Sequence, residues 1–233
     1  MLKRAVVAII VGTVLCGHAI AQGLNSKRDA NGIDEINITA RVGEIHLEVG
    51  TSDEIIVDVE LEPEDGAAGE VDELIDGAEL EVSQRSGRIQ FEISFPDGRN
   101  RDDDDLDVIE KWRVRVPERL AAVLKMGVGE VEVEGIEGGV DTTVGVGEIT
   151  VDVPAGTVRL KSSVGEVTVR HRAADVGRVD LDTNVGDVSL RVEDEFIEPE
   201  RSLFVGSRLT WDGKGDDDIN VTVNIGEIDV SVN

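Results

Sequence analysis

The sequence predicts an all-β fold, and within that class a single-domain parallel β-solenoid with rungs of about 20 residues and short acidic insertions. Three observations carry the expectation. Val (36) and Ile (19) together far outnumber Leu (15), and β-branched side chains fit the pleated surface of a strand better than the crowded turn of a helix. A short unit centred on glycine recurs, as in Val42-Gly43-Glu44-Ile45, Val128-Gly129-Glu130-Val131, Val146-Gly147-Glu148-Ile149, Val164-Gly165-Glu166-Val167, Val185-Gly186-Asp187-Val188 and Ile225-Gly226-Glu227-Ile228. On both sides of these glycines apolar residues alternate with period two, as they do along a strand with one buried face.

In chain order, residues 1–21 read as a secretory signal peptide. Lys3 and Arg4 precede an apolar run from Ala5 to Leu15, and Ala19-Ile20-Ala21 offers a cleavage site before Gln22. The run is shorter than the ~20 apolar residues of a membrane span, and Leu15 before Cys16 does not suit lipidation, which takes a small residue there. Residues 22–32 read as a linker and residues 33–233 as the repeat domain. Cleavage would remove two bases, no acid and the only cysteine, leaving 21 basic and 50 acidic residues. Such a chain must hold together by core packing and hydrogen bonds, without a disulfide. The expected compartment is the periplasm or the cell surface.

The predicted corner glycines are Gly43, Gly87, Gly129, Gly147, Gly165, Gly186, Gly206 and Gly226, with Val205-Gly206-Ser207 and Ser86-Gly87-Arg88-Ile89 read as weaker copies of the unit. Counting from each glycine, apolar residues recur at −7, −5 and −1 (Val158, Leu160, Val164; Ile219, Val221, Ile225) and again at +2 and +4 (Val167, Val169; Ile228, Val230), while −3 is mixed. All five positions are expected to face inward. Positions −1 and +2 differ in parity, so the chain must bend or bulge between them, and glycine permits that. Turns are expected at Gly135 to Gly139, Pro154 to Gly156, Ala174 to Gly177 and Gly213 to Asp216. An antiparallel β-sandwich is the alternative, because its strands also recur at short intervals. The insertions are a short helix around Val71, Leu74 and Ile75, an acidic loop from Pro96 to Glu110 that includes Asp102 to Asp105, and a second loop from Glu193 to Glu200.

The formal net charge of −27 excludes nucleic acid and anionic membrane as default partners, since both call for a basic footprint. Past the signal only His46 and His171 remain, both expected at the surface, and neither a nucleophile elbow nor a phosphate loop is present. Trp211 is expected in the core, near +4 of its rung.

The residue after each glycine, including Glu44, Glu130, Glu148, Glu166, Asp187 and Glu227, is expected to point outward. Stacked at about 4.8 Å, such carboxylates form a column whose neighbours repel by about 0.9 kcal/mol even in water. The column of Glu130, Glu148, Glu166 and Asp187 is a candidate calcium site, weighed against a plainly solvated acidic corner. The Gly-Gly-x-Gly-x-Asp calcium repeat is missing.

The Gly-Glu-Val/Ile-x-Val units and the strand from Val158 to Val164 resemble the bacterial putative-adhesin family of β-strand-repeat domains of unknown function, and are similar to adhesin-head domains. The resemblance implies an exported β-solenoid of the cell envelope and carries no catalytic residues. The expected function is a non-enzymatic envelope or surface interaction module without a resident cofactor, binding a protein or a glycan, with no membrane span once the signal is removed. The alternative is a polysaccharide lyase or hydrolase on a parallel β-helix, with Arg159, Lys161, Arg170, Arg172 or Arg191 beside acids.

Overall fold

The computed structural model describes residues 22–64, 70–96, 107–173, 176–193, 195–201 and 206–233. They form one large mixed sheet that does not close on itself. Its centre is five long strands, β2 (Glu35–Val49), β7 (Ala121–Glu134), β8 (Val140–Val153), β9 (Val158–His171) and β15 (Asp217–Val232), all parallel and adjacent in the order β2-β7-β8-β9-β15. The pairing is in register with the repeat: Gly43 lies opposite Gly129, Gly129 opposite Gly147, Gly147 opposite Gly165, and Gly165 opposite Gly226.

Each long strand has two limbs that meet at its glycine. Before the glycine, −7, −5 and −3 are buried, as in Ile36, Ile38 and Ala40 or Ala122, Leu124 and Met126. After it, +2 and +4 are buried, as in Ile45 and Leu47 or Val131 and Val133. Both sets belong to one core cluster. Between them residues −2 to +1 lie at the surface or half-buried, and the glycines have φ from 136° at Gly43 to 148° at Gly226, a region that L side chains rarely enter. This bend absorbs the change of parity. It also corrects the expectation for −1: Val128, Val146, Val164, Val185 and Ile225 are 40 to 51% exposed, whereas the mixed −3 position is buried. The inward row therefore holds Ser162 and Thr183 at −3 and Thr142 at −5, and none of these three hydroxyls has a hydrogen-bond partner.

At each end of the parallel block the two limbs acquire separate neighbours. On the β2 side, the first limb pairs with β5 (Arg88–Ser94), which forms a hairpin with β4 (Glu79–Arg85). The second limb pairs with β6 (Val108–Val116), which runs antiparallel to β3 (Glu54–Pro63), itself antiparallel to β1 (Gln22–Asp29). The segment expected as a linker is thus mostly an edge strand, paired with β3 from Gln22 to Asp29. On the other side β15 pairs with β10 (Val176–Val185) along one limb and with β11 (Val188–Val192) along the other. Antiparallel β14 (Ser207–Asp212) and then β13 (Glu200–Arg201) continue from β10, and β12 (Glu195–Ile197) continues from β11.

Three further expectations change. Gly87 sits with Ser86 in the β4–β5 hairpin turn (φ 78° and 51°), a conformation that glycine tolerates and serine rarely adopts, and it is no corner. Gly206 precedes an antiparallel strand, so it is not a corner either. The last unit does not stack last: β15 inserts between β9 and β10, giving the glycine order 43, 129, 147, 165, 226, 186.

The helix expected around Val71, Leu74 and Ile75 is α1 (Glu70–Asp76), which buries Leu74 and Ile75. The loop expected from Pro96 is shorter than predicted, since Val108 to Glu110 already belong to β6; residues 97–106, with Asp102 to Asp105, lie outside the described residues. The second expected loop contains β12 and the start of β13.

His171 is fully buried, its Nε2–H donating to the Gly156 carbonyl at 3.0 Å, where a surface position was expected. His46 is half-exposed on an outward strand position. Trp211 packs against the core while remaining partly exposed. Among the described residues no helix is long and apolar enough to cross a membrane.

Candidate functional site

The in-register pairing that aligns the glycines aligns their neighbours too. One step after the glycine, Glu44 lies opposite Glu130, Glu130 opposite Glu148, Glu148 opposite Glu166, and Glu166 opposite Glu227. Asp187 follows Gly186, which packs on Gly226, and so extends the row past Glu227. The predicted members Glu130, Glu148, Glu166 and Asp187 therefore lie on one face, with Glu227 intercalated between the last two. All are exposed. Among the described residues no group of three or more His, Asp or Glu side chains converges in a way that would hold a metal ion. The row is linear, one carboxylate per rung at about 4.8 Å, and a cation cage needs six to eight oxygens around one point.

Like charges in a row have an electrostatic consequence. The carboxyl of Glu130 is held above the usual carboxylate range, first by partial desolvation and then by the charges of Glu148, Glu44 and Glu132. At the β6 end the row terminates in a cation: Lys111 lies opposite Glu44, and its Nζ donates to Glu62 at 2.6 Å. That bond, followed by the Coulombic pull of Glu62, Glu44 and Glu60, raises the Lys111 pKa.

Strand β6 places Glu110-Lys111-Trp112 where the other rungs carry Gly-Glu-Val, Gly-Glu-Ile or, at Gly186, Gly-Asp-Val. Glu110, opposite Gly43, is only 3% exposed. Its carboxylate accepts from the Trp112 indole N–H at 2.9 Å and from the Arg41 backbone N–H at 3.3 Å. The glycine column thus ends on a buried carboxylate tied to the neighbouring rung.

One step before the glycine runs a second row, which the expected inward orientation had hidden. Val42 pairs with Val128, Val128 with Val146, Val146 with Val164, Val164 with Ile225, and Ile225 with Val185. Val42 is half-buried and the other five are exposed. Among the described residues the exposed large hydrophobics are these five and Phe196. The signal was present in the sequence as an apolar residue at every −1, but alternation alone cannot tell an outward apolar row from an inward one when the parity slips nearby.

At −2 the row is bordered by Arg41 on β2 and then by Gly127, Gly145, Ser163, Asn224 and Asn184, which are short or lack a side chain. A Cβ at Gly145 would run into the Gly127 carbonyl, so close stacking keeps this shelf bare. Asn184 donates to Asn224 at 2.9 Å across two rungs.

The two rows together make a face at the outer bend of the sheet, with an apolar line and an acidic line one residue apart across the glycines. The basic residues considered for catalysis do not converge with it: Arg159 and Lys161 lie at −6 and −4, and Arg170 and Arg172 at the far end of β9 and beyond. Arg172 pairs with Asp152 at 2.9 Å, an ordinary cross-rung ion pair.

No protein-family model and no curated protein matches the chain. Among solved structures, the fold is similar to that of a putative cell adhesion protein from Clostridium sporogenes, at 15% identity and a TM-score of 0.55 over 92% of this chain and 100% of that one. Putative adhesins from Bacteroides fragilis (13% identity, TM-score 0.32, 90% of this chain and 97% of that one) and Parabacteroides distasonis (11%, 0.31, 93% and 98%) are more distant matches. The first likeness defines a shared all-β fold. The Clostridium sporogenes protein is named a putative cell adhesion protein, in agreement with the adhesin-like resemblance of the sequence repeats.

Proposed function

We propose that the chain is an exported, non-enzymatic interaction module of the cell envelope or surface, built on a parallel β-coil. The observation that carries the reading is the face at the outer bend, where one chemistry repeats in register over six rungs. Binding of an extended partner uses such repetition. Catalysis calls instead for unlike groups gathered at one point, and the fold similarity to a putative cell adhesion protein favours binding.

Chain reach supports the coil. Strand β7 ends at Glu134 and its parallel neighbour β8 starts at Val140, so only residues 135–139 return the chain. Five residues reach at most about 18 Å, whereas a straight strand of 14 residues would be about 46 Å long. The strand must double back at its glycine to bring its end near the next start. Residues 154–157 make the same return between β8 and β9.

The test is to express the full sequence with a C-terminal tag in a Gram-negative host and map the product. Mass spectrometry is expected to find an N-terminus at Gln22, and the envelope fraction to hold the protein. Purified protein should adhere to cells or immobilised envelope material without releasing product from acidic polysaccharides. An unprocessed cytosolic chain would overturn the export reading, and polysaccharide cleavage would overturn the non-enzymatic one.

A further inference from the structure

From the paired rows at the outer bend we infer that this face docks a basic amphipathic α-helix, an inference that rests on the interaction-module reading above. Five of the six exposed large hydrophobics among the described residues fall in this one row, Val128, Val146, Val164, Ile225 and Val185. Concentration of exposed apolar surface in one place marks an interaction site, where scattered single residues would not. Stability does not explain the row, because the core is already filled by −7, −5, −3, +2 and +4.

The chemistry beside the row selects the partner. Glu44, Glu130, Glu148, Glu166, Glu227 and Asp187 run parallel to the apolar line in the same registers, with Lys111 at the β6 end and Arg41 beside Val42 across the apolar line. A complementary surface therefore carries an apolar stripe flanked on one side by Lys or Arg. The bare shelf of Gly127, Gly145 and Ser163 on the other side leaves the valine side chains reachable from above.

Spacing selects the helix over other partners of that charge. Six rungs make five steps of about 4.8 Å, or about 24 Å in all. A helix laid along the row advances about 5.4 Å per turn, about 0.6 Å more than a rung, and covers the same length in ~16 residues, so one apolar and one basic side chain per turn stay within about 3 Å of a rung along the whole row. An extended chain repeats its facing side chains every ~6.6 Å and loses register within three rungs. A glycan would look for aromatic platforms, and the chain has 6 aromatic residues and no Tyr, with none in this row. A second copy of this chain offers no unbroken line of cations to the acidic row, since positions −2 and −4 of these six rungs carry Lys or Arg only at Arg41, Lys125 and Lys161.

The test uses the full-length protein after export and a fluorescent 17-residue peptide with Leu on one helical stripe and Lys along its border. A scrambled peptide of the same composition is the control. Fluorescence anisotropy should show binding of the patterned peptide at least tenfold tighter than the scrambled one, weakening with salt. Val146→Ser with Val164→Ser should weaken binding at least tenfold. Glu148→Gln with Glu166→Gln should weaken it at low salt and flatten the salt dependence, and the equally charge-neutralising Glu134→Gln with Asp141→Asn should change it less than twofold. Thermal melts confirm that each variant folds, and the two off-row substitutions keep the comparison valid if one on-row variant does not.

Equal affinity for both peptides, unchanged affinity in the valine variant, or absence of binding would overturn the helix-docking inference. So would a dimer of the unaltered protein in sedimentation that the valine variant abolishes, because the occupant would then be a second copy. Cell adhesion separates the two levels: adhesion that survives the valine variant overturns this face and leaves the module standing, and lack of any adhesion overturns the module itself.

Discussion

Strands β3 and β6 set Asp58, Glu60 and Glu62 against Arg115, Arg113 and Lys111, and the pairs close at 3.4, 3.1 and 2.6 Å. Strands β7, β8, β9 and β15 set Glu130, Glu148, Glu166 and Glu227 against one another. The same molecule thus treats charge in opposite ways in its antiparallel flank and its parallel centre. The flank is built from unlike sequences, so each position can be matched across the strands. The centre is built from copies of one unit paired in register, so whatever stands outward in one copy meets itself in the next. Repetition sets the pairing and leaves like charges stacked, as the raised Glu130 carboxyl records. A row of like groups that folding alone would not favour is a reason to assign the bend a binding role.

The comparison breaks most sharply at the glycines. Gly147→Val should prevent folding or cost more than ~4 kcal/mol, because its φ is 141° and a Cβ would meet the Gly129 carbonyl. In the flank, Gly23→Ala should change stability by less than ~0.5 kcal/mol, since nothing lies within 4 Å of its added Cβ. Denaturant unfolding of both variants measures the contrast.

Buried hydroxyls come next. Thr142→Val should stabilise the parallel centre by about 1 kcal/mol, because Thr142 is fully buried and its Oγ1 has no partner; a lower urea midpoint would count against that account. Charge reversal should then act with opposite sign in the two regions. Arg113→Glu removes the pair with Glu60 and should destabilise by up to ~1 kcal/mol, and Glu148→Lys relieves the row and should stabilise by a similar amount. Added salt should shrink both effects.

The smallest effect is in pH. Glu130 keeps its proton to higher pH in the folded chain than in the unfolded one, so its ionisation weakens the fold and stability returns as pH falls through the folded pKa toward the ordinary carboxylate range. Asp180, lowered by its hydrogen bond to Arg178, and Glu54, lowered by its bond to Lys27, act the other way and lose their contribution as pH falls through their folded pKa. Glu130→Gln should therefore be a few tenths of a kcal/mol more stable than the unaltered chain at pH 7, with the difference fading near pH 4. A difference that grows on acidification would reverse the sign of the argument.

The strands of the parallel centre were legible because alternation and a fixed glycine offset are written residue by residue. At Ile45, Leu47, Val131 and Val133, burial follows the period. What the pattern could not convey was the width of the bend. A glycine at positive φ turns four residues outward, so the apolar −1 row looks like core in the sequence while Ser162 and Thr183 at −3, which are core, do not. Rung order was equally hidden, because near-identical units can pair with any neighbour; the even step through Gly206 suggested one more rung where the chain instead forms antiparallel β14. In the flank, Glu110-Lys111-Trp112 carries the register of a rung without its glycine, and no periodic template finds it. The candidate face was therefore half visible, its carboxylates from the sequence and its valines from the structure.

Rung order is the most direct test of the stacked face, since every alignment of valine with valine and carboxylate with carboxylate depends on it. The chain's only cysteine is Cys16, so paired cysteines can be introduced cleanly after its removal. Glu166→Cys with Glu227→Cys places the two thiols on adjacent in-register positions, about 4.8 Å apart between Cα atoms and within the reach of a disulfide. Glu166→Cys with Asp187→Cys, neighbours in repeat order, places them two steps apart. Under mild oxidation the first pair should close rapidly in the folded protein and the second should stay reduced. Closure of the second pair in preference to the first would contradict the insertion of β15 and, with it, the ladder on which the proposed binding face is built.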